Sequence, residues 1–152
     1  MDKIISGGQT GIDRAALDVA IKLNIPHGGW CPKGRKAENG IIPDYYQLQE
    51  TETDDYSERT KLNIRDSDGT LILVLTTSIK VTDGTILTIQ EVKEKNKPYL
   101  IVDLSIKKDP ESVVKWLADK NIKVLNVAGP RESQSPGIYH QGVGFLESIF
   151  KP

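Results

Sequence analysis

The stretch Ser6-Gly7-Gly8-Gln9-Thr10-Gly11 (SGGQTG) lies between a short apolar segment, residues 3–5, and a segment with helical periodicity that begins at Ile12. In that segment apolar side chains recur three, four and seven positions apart, which predicts a helix with one apolar face. A strand, a glycine-rich turn and a helix are therefore expected in succession. Such a turn directs backbone N–H groups and the positive end of the helix towards one point, where an anion, usually a phosphate, is the expected ligand. Close packing of helix on sheet is the alternative reason for the glycines.

The turn matches the dinucleotide-binding fingerprint G-x-G-x-x-G only in part. Gly8 and Gly11 take its second and third glycine positions, but Ser6 stands in the first. The acidic residue expected about 20 positions later to hold a ribose is also missing. Residues 26–35 contain neither Asp nor Glu, so a nicotinamide dinucleotide is not the expected ligand.

The composition of the chain limits the classes of protein that fit. A length of 152 residues suits one domain, residues 1–152, with a substantial core. The formal net charge of −1 gives no reason to expect nucleic acid or a membrane surface as a partner. The single cysteine, Cys31, excludes a disulfide within the chain and suits a reducing compartment. Because neither a signal peptide nor a long apolar segment is present, we expect a soluble cytoplasmic protein.

Strand and helix patterns alternate along the rest of the chain. In chain order we predict a strand near 27–30, a loop over 37–54, a helix over 55–67, a strand over 70–75, a loop over 76–82, a helix over 83–95, a strand over 99–102, a helix from 109, a strand over 123–127 and a helix from 136. The unbroken apolar run 70–75 is typical of a strand buried on both faces. The pattern predicts an α/β fold with a mostly parallel sheet of about five strands and helices on both faces.

Ligands of such sheets bind beyond the carboxyl ends of the strands, where the strand order reverses. This rule selects four loops, in which cations outnumber acids: residues 7–13, 29–36, 76–85 and 129–132. Arginine suits bidentate contact with phosphate and lysine acts as a point charge, so the converging loops favour a polyanionic ligand with a polar body. A solvated basic surface without a ligand is the alternative. The candidate binding residues are Gly7, Gly8, Gln9, Thr10, Gly11, Asp13, Arg14, Trp30, Lys33, Gly34, Arg35, Gly84, Thr85, Gly129, Arg131 and Glu132, with Lys36 and Thr82 in the same loops.

Three residues near these loops have more ordinary roles open to them. His27 and Cys31 lie four apart, but no second pair of ligands accompanies them, so a metal site is not expected. Cys31 is expected to be a small buried hydrophobic residue. Trp30 can stack on a ligand ring or simply fill space, and the sequence leaves both open.

Four long stretches together resemble the molybdenum-carrier family. They are SGGQTGIDRAALDVAI (6–21), PHGGWCPKGRKAENG (26–40), SDGTLIL (67–73) and LNVAGPRESQSPGIY (125–139). The family belongs to a superfamily of Rossmann-like proteins, SLOG, that includes YpsA-like proteins, the LOG nucleotide phosphoribohydrolases and the DNA-processing protein DprA. The resemblance covers essentially the whole chain and implies a single Rossmann-like three-layer domain.

The resemblance implies a carrier of the molybdenum cofactor (molybdopterin), a pterin with a phosphate and a metal-bearing dithiolene. It implies that Trp30 faces the pterin and that no side chain binds the metal, because the dithiolene sulfurs already do. The implied phosphate or metal-oxo contacts are the N–H groups of Gly7, Gly8, Thr10 and Gly11, with charge neutralised by Lys33, Arg35 and Arg131. Molybdoenzymes are the implied recipients, and homo-oligomers are expected for a small domain of this kind.

An enzyme is the competing interpretation. The phosphoribohydrolases carry P-G-G-G-T-x-x-E, whose Glu does acid–base work on a ribosyl bond. Residues 81–88, VTDGTILT, keep the Gly84-Thr85 pair but place Thr88 where that Glu stands. Threonine does not exchange a proton near neutral pH, so we predict binding without catalysis. Glu38 or Glu132 could still serve from other loops, and a sensor that binds a nucleotide derivative without turnover also remains open.

Overall fold

The computed structural model describes residues 1–76, 83–106 and 108–152. Apart from Thr76, the loop predicted over 76–82, which includes Thr82, lies outside the described residues. The elements in chain order are β1 (Lys3–Ile5), α1 (Ile12–Lys22), β2 (His27–Gly28), β3 (Trp30–Cys31), β4 (Lys36–Ala37), β5 (Gly40–Ile41), β6 (Gln49–Glu50), α2 (Tyr56–Arg65), β7 (Gly69–Val74), α3 (Asp83–Glu94), β8 (Tyr99–Asp103), α4 (Pro110–Asp119), β9 (Val124–Ala128) and α5 (Ile138–Phe150).

The central sheet has five strands in the order β2-β1-β9-β7-β8, and every pair of neighbours is parallel. The prediction of a mostly parallel sheet of about five strands is therefore confirmed. The last strand in sequence, β9, lies in the middle of the sheet between β1 and β7. The carboxyl ends of β1, β9 and β7 consequently meet at one edge, and the turns that follow them are neighbours.

Helices cover both faces of the sheet. Helix α5 packs against α1 and α4, whereas α2 packs against α3. Right-handed crossovers place the first group on one face and the second group on the other. Strand β7 is buried on both sides, since Leu71, Ile72 and Leu73 are fully buried. This three-layer arrangement is the Rossmann-like architecture implied by the resemblance.

Two helices begin at aspartate caps. Asp55 accepts a hydrogen bond from the Ser57 amide at the start of α2. Asp109 accepts one from the Ser112 amide at the start of α4, where Pro110 takes the first helical position. Both carboxylates satisfy amides that would otherwise lack a partner within the helix. Among the described residues, none of the helices has the length and apolar character needed to cross a bilayer.

The region 30–50, predicted mostly as a loop, contains two small two-stranded sheets. Strand β3 pairs in parallel with β6, and β4 pairs with β5 in an antiparallel hairpin. Each of these strands has two residues, which is too short for a periodic pattern to appear in the sequence. A second apolar cluster forms beneath them from Leu17, Cys31, Ala37, Ile42 and Tyr46. The expectation that Cys31 is a small buried residue is confirmed.

Candidate functional site

A polar cleft lies at the carboxyl edge of the sheet, on the face covered by α2 and α3. It is bounded by the turn after β1, the first turns of α2 and α3, and the segment after β9. The residues of its lining used below are Gly7, Gln9, Asp13, Tyr56, Arg59, Gly84, Thr85, Thr88, Gly129, Arg131 and Gln134. Seven candidates from the sequence are among them, contributed by three of the four predicted loops. Polar groups converging on one concave surface are the usual form of a small-molecule site.

Backbone amides of the glycine-rich turn after β1 donate hydrogen bonds to side chains of the turn itself and of the start of α1. The amide of Gly8 donates to Ser6 Oγ (3.3 Å), that of Gln9 to Asp13 Oδ2 (3.2 Å) and that of Thr10 to Gln9 Oε1 (3.1 Å). The N–H groups of Gly8 and Thr10 therefore already have acceptors within the turn. Because an amide N–H makes one good hydrogen bond, these groups would have to exchange partners before they could hold a phosphate.

The side of the turn at Gly8 is also covered by protein. Gly8 has a φ of 78°, and a Cβ atom there would lie 2.6 Å from Leu48 Cδ1. A larger residue at this position would disturb the packing of residues 42–48. The Gly8 position is thus fixed by backbone conformation and by packing, and it does not line the cleft.

Arg59 crosses the turn on its cleft side. A Cβ atom on Gly7 would lie 1.8 Å from Arg59 Nη1, so the glycine leaves space for the guanidinium. Arg59 Nη1 donates to Asp13 Oδ2 at 3.2 Å. Arg59 Nε is buried and has no hydrogen-bond partner among the described residues. A buried donor without an acceptor costs about 1–3 kcal/mol, so this nitrogen is suited to an acceptor from a ligand.

Asp13 is the carboxylate of the described cleft lining, and it is almost completely buried. Burial raises the pKa of Asp13 above its ordinary value, and the neighbouring Arg59 guanidinium opposes that rise. Its contact with the Gln9 amide ties it to the start of α1. Asp13 therefore links the start of α1 to α2 through an ion pair with Arg59 that the sequence did not indicate.

Arg131 reaches the cleft from the segment after β9. Its guanidinium carbon lies 5.6 Å from the centroid of the Tyr56 ring. Within the described residues Arg131 belongs to no ion pair at salt-bridge distance. Arg131, which forms no salt bridge there, and the buried, unpartnered Arg59 Nε are donors that the described lining offers to an anion.

The loop residues near β3 and β4 do not reach this cleft. Trp30 Nε1 donates to Asp66 Oδ2 at 2.8 Å, next to the end of α2. Lys33 and Gly34 are exposed, and the Gly34 amide donates to Glu50 Oε1 at 2.7 Å. The guanidinium of Arg35 donates to main-chain carbonyls of the loop that follows it, including Ile42 O and Tyr46 O. Arg35 therefore binds its own backbone.

The remaining candidates line an adjoining open groove on the α1 and α5 side: Thr10, Gly11, Arg14 and Glu132, together with Asp18, Tyr46, Tyr139 and His140. The Glu132 carboxylate accepts from the amides of Gly137 (2.7 Å) and Tyr139 (3.0 Å), so it caps the start of α5. Asp18 accepts from the hydroxyls of Tyr46 and Tyr139. The polar groups here are largely satisfied by one another.

Glu38, in the loop after β4, forms hydrogen bonds with residues at the carboxyl edge of the sheet. Its carboxylate accepts from Thr10 Oγ1 (2.5 Å) and from the hydroxyl and amide of Ser133. Burial would raise the pKa of Glu38, but the hydrogen bonds from Ser133 and Thr10 outweigh it and hold that pKa below its ordinary value. These bonds make Glu38 a link between the turns after β1 and β9.

Thr88 lies in the cleft lining, at the position of the hydrolase Glu. Its hydroxyl donates to Gly84 O at 3.0 Å, one turn earlier in α3. Within the described residues, no group of three or more His, Cys, Asp or Glu side chains is placed to hold a metal ion.

The chain is similar to known proteins over nearly its whole length. The model of the circularly permutated YpsA SLOG family matches residues 4–150. A crystal structure from Syntrophus aciditrophicus SB, named "Putative molybdenum carrier protein", is 47% identical and superposes with a TM-score of 0.92. The match covers 99% of this chain and 95% of that one. The comparison with curated proteins gave no match.

Proposed function

Because this chain belongs to the circularly permutated YpsA SLOG family, we propose that it is a carrier protein that binds the molybdenum cofactor in the cleft between α2, α3 and the sheet edge. The name of the Syntrophus aciditrophicus protein supports a molybdenum carrier as the general function. We further propose that molybdenum is carried as part of the cofactor and that the cofactor binds in the cleft.

The proposal rests on two arginines of the cleft, Arg59 and Arg131, whose guanidinium groups are not fully paired within the described residues. Arg59 Nε is a buried donor without an acceptor, and Arg131 has no carboxylate partner among the described residues. A ligand oxygen that carries negative charge would satisfy the first and neutralise the second. The cofactor fits this requirement, since its phosphate is anionic.

Helix α3 adds a second contribution. Its first turn, with Gly84 and Thr85, lines the cleft, and the positive end of a helix favours an anion. Among the described residues no atom lies within 4 Å of the position of a Cβ atom on Gly84, so there is space for a ligand beside this residue. We propose that Arg59, Arg131, Gly84 and Thr85 hold the anionic part of the cofactor.

The role of the protein in this proposal is binding and protection. The cofactor would supply the metal and the dithiolene sulfurs that hold it. The chain's own residues bind the anionic group, orient it and keep water from it. Asp13, which is the carboxylate of the described lining, stays paired with Arg59 and takes no proton from the ligand.

Calorimetric titration tests the function. The purified protein is titrated with the molybdenum cofactor under anaerobic conditions, and with AMP, GMP and ATP, at two salt concentrations. We expect the cofactor to bind more tightly than any of the nucleotides, with an affinity that falls as salt rises. Tighter binding of a nucleotide would overturn the cofactor assignment, and the nucleotides would then be assayed for turnover.

Arg131→Gln is expected to weaken cofactor binding by about 10- to 100-fold, since a hydrogen bond to a charged group contributes roughly 1.5–3 kcal/mol. The variant should keep its thermal stability, because Arg131 is only partly buried and forms no ion pair within the described residues. Lys33→Gln is the matched control: it removes one cation from an exposed loop that does not line the cleft. Equal affinities of the two variants would contradict the assignment of Arg131.

A further inference from the structure

We infer that Tyr56 and the three cations around it, of which Arg59 and Arg131 line the cleft, form a subsite for one tetrahedral oxyanion. The inference rests on the proposed function and makes it more specific. The chemistry is that of a compact, doubly charged group such as a phosphate or molybdate. Such a group could be the phosphate end of the cofactor or a free oxyanion.

Tyr56 collects three cationic side chains from three different elements. Lys36 Nζ lies 5.3 Å from the ring centroid, Arg59 Cζ 5.5 Å and Arg131 Cζ 5.6 Å. These side chains come from β4, from α2 and from the segment after β9. The electron-rich face of an aromatic ring attracts cations at such distances. The attraction of the Tyr56 ring therefore offsets part of the repulsion between these three cations.

The acidic residues near this cluster leave one of its donors without an acceptor. Asp13 pairs with Arg59 at 3.2 Å, and Asp54 lies 3.5 Å from Lys36. The second pair is exposed on both sides and contributes little. Arg131 forms no salt bridge within the part of the chain that the structure describes, although its charge helps to hold the pKa of Glu38 below the ordinary value. The buried, unpartnered Arg59 Nε thus remains as a donor for an anion.

The cavity lined by Tyr56, Arg59 and Arg131 has the size of a small group. It measures about 80 Å³. One water molecule needs roughly 10–15 Å³ of cavity volume, so this cavity takes a group of about five to eight heavy atoms. A tetrahedral oxyanion has five. The rest of a larger ligand would extend out of the cavity.

Tyr56 is fixed in place by its position in the fold. It is the first residue of α2, directly after the cap Asp55. The Thr60 hydroxyl donates to its carbonyl at 3.1 Å, and its side chain is half-buried. The ring is thus held on a helix end, and we assign to Tyr56 the role of a positioning residue that acts through the cations.

The test compares oxyanion binding by the full-length protein and two variants at Tyr56. Molybdate, tungstate and inorganic phosphate are titrated separately by calorimetry. We expect the wild-type protein to bind them, Tyr56→Phe to bind within about twofold of it, and Tyr56→Leu to bind about tenfold more weakly. Unchanged binding by Tyr56→Leu would overturn the inference. So would an equal loss in Tyr56→Phe, because the hydroxyl and not the ring would then be responsible.

Lys36→Gln keeps the inference testable if Tyr56→Leu does not fold. Lys36 is exposed, so its replacement leaves the fold intact. We expect it to weaken oxyanion binding about threefold, and Lys33→Gln, three residues earlier, to leave it unchanged. Equal binding by these two variants would overturn the three-cation subsite.

Two outcomes separate this inference from the proposed function. Cofactor binding without any oxyanion binding would overturn the subsite and leave the carrier function intact. Oxyanion binding without cofactor binding would support the subsite and overturn the cofactor assignment. Among the oxyanions, a preference for molybdate and tungstate over phosphate would identify a metal-oxo group as the source, and the reverse preference would identify a phosphate.

Discussion

Replacing Arg35 with methionine is expected to lower the free energy of unfolding by at least about 3 kcal/mol, because each lost hydrogen bond to a charged group contributes roughly 1.5–3 kcal/mol. The Arg35 guanidinium donates to Pro43 O at 2.6 Å, Tyr46 O at 2.8 Å and Ile42 O at 3.0 Å. Methionine keeps the apolar stem but leaves these carbonyls without their donor. Chemical denaturation measures the loss of stability.

The thiol of Cys31 reports the same change locally. Cys31 is fully buried and packs in one cluster with Ile42 and Tyr46, which lie in the loop that Arg35 holds. Burial raises the pKa of the Cys31 thiol, which further slows its reactions at neutral pH. In Arg35→Met we expect labelling by a thiol reagent to become much faster under native conditions. Lys33→Met is the control, because Lys33 is exposed in the same loop; labelling at equal rates in both variants would contradict the role given to Arg35.

Replacing Arg59 with methionine is expected to destabilise the protein by about 3 kcal/mol at neutral pH, the usual cost of leaving one partner of a buried ion pair alone. The side chain of Arg59 is 15% exposed and that of Asp13 is 5% exposed, so water cannot take the place of the lost partner. The same change removes the donor proposed for the anionic ligand. Cofactor binding should therefore weaken together with stability.

The cost of Arg59→Met depends on pH. Burial already raises the pKa of Asp13, and without Arg59, which opposes that rise, the pKa in the folded state moves higher still. The folded protein then binds a proton more tightly than the unfolded chain does. The penalty is full above the folded-state pKa of Asp13 in the variant. It is lost as the pH falls from there to the lower folded-state pKa that Asp13 has in the wild-type protein.

A double-mutant cycle separates this pair from its surroundings. Asp13→Asn removes the carboxylate, so Arg59→Met should cost less in that background and should lose its pH dependence. Unfolding of the four proteins is measured by denaturant titration between pH 4 and pH 8. The same cost of Arg59→Met at every pH, and in both backgrounds, would show that the pair does not behave as described.

The fold was predictable because its strands and helices carry strong periodic patterns. The apolar run over 70–75 and the apolar face of the helix that begins at Ile12 are visible in the local sequence alone. The position of β9 between β1 and β7 could not be predicted, because strand order depends on contacts between segments more than 50 residues apart. The two-residue strands of the region 30–50 were also missed, since nothing in so short a segment repeats.

The site was predictable in its location more than in its residues. The rule that ligands bind at the carboxyl ends of parallel strands selected the edge where the cleft lies, and with it Gly84, Thr85 and Arg131. Arg59 and Tyr56 lie on α2, outside the loops that the rule selects, and no pattern in the sequence marks them. Arg35 shows the opposite difficulty: an arginine in a glycine-containing loop has the same sequence context whether it binds a ligand or its own backbone.

The glycines of SGGQTG illustrate how one motif admits two physical explanations. Gly7 leaves space for Arg59, and Gly8 fits beneath Leu48. The glycine-rich turn therefore leaves room for the guanidinium of Arg59 at the cleft, and we assign the direct contact with the ligand to that guanidinium.

The position of bound molybdenum in a crystal would show whether the cofactor occupies the cleft. Crystals of the protein grown with the molybdenum cofactor would be measured on both sides of the molybdenum absorption edge, so that the anomalous difference locates the metal. We predict one molybdenum site at the cleft, with an anionic group of the cofactor between Arg59 and Arg131. Molybdenum in the groove beside Thr10 and Tyr139, or a cofactor bound with both arginines free, would contradict the account.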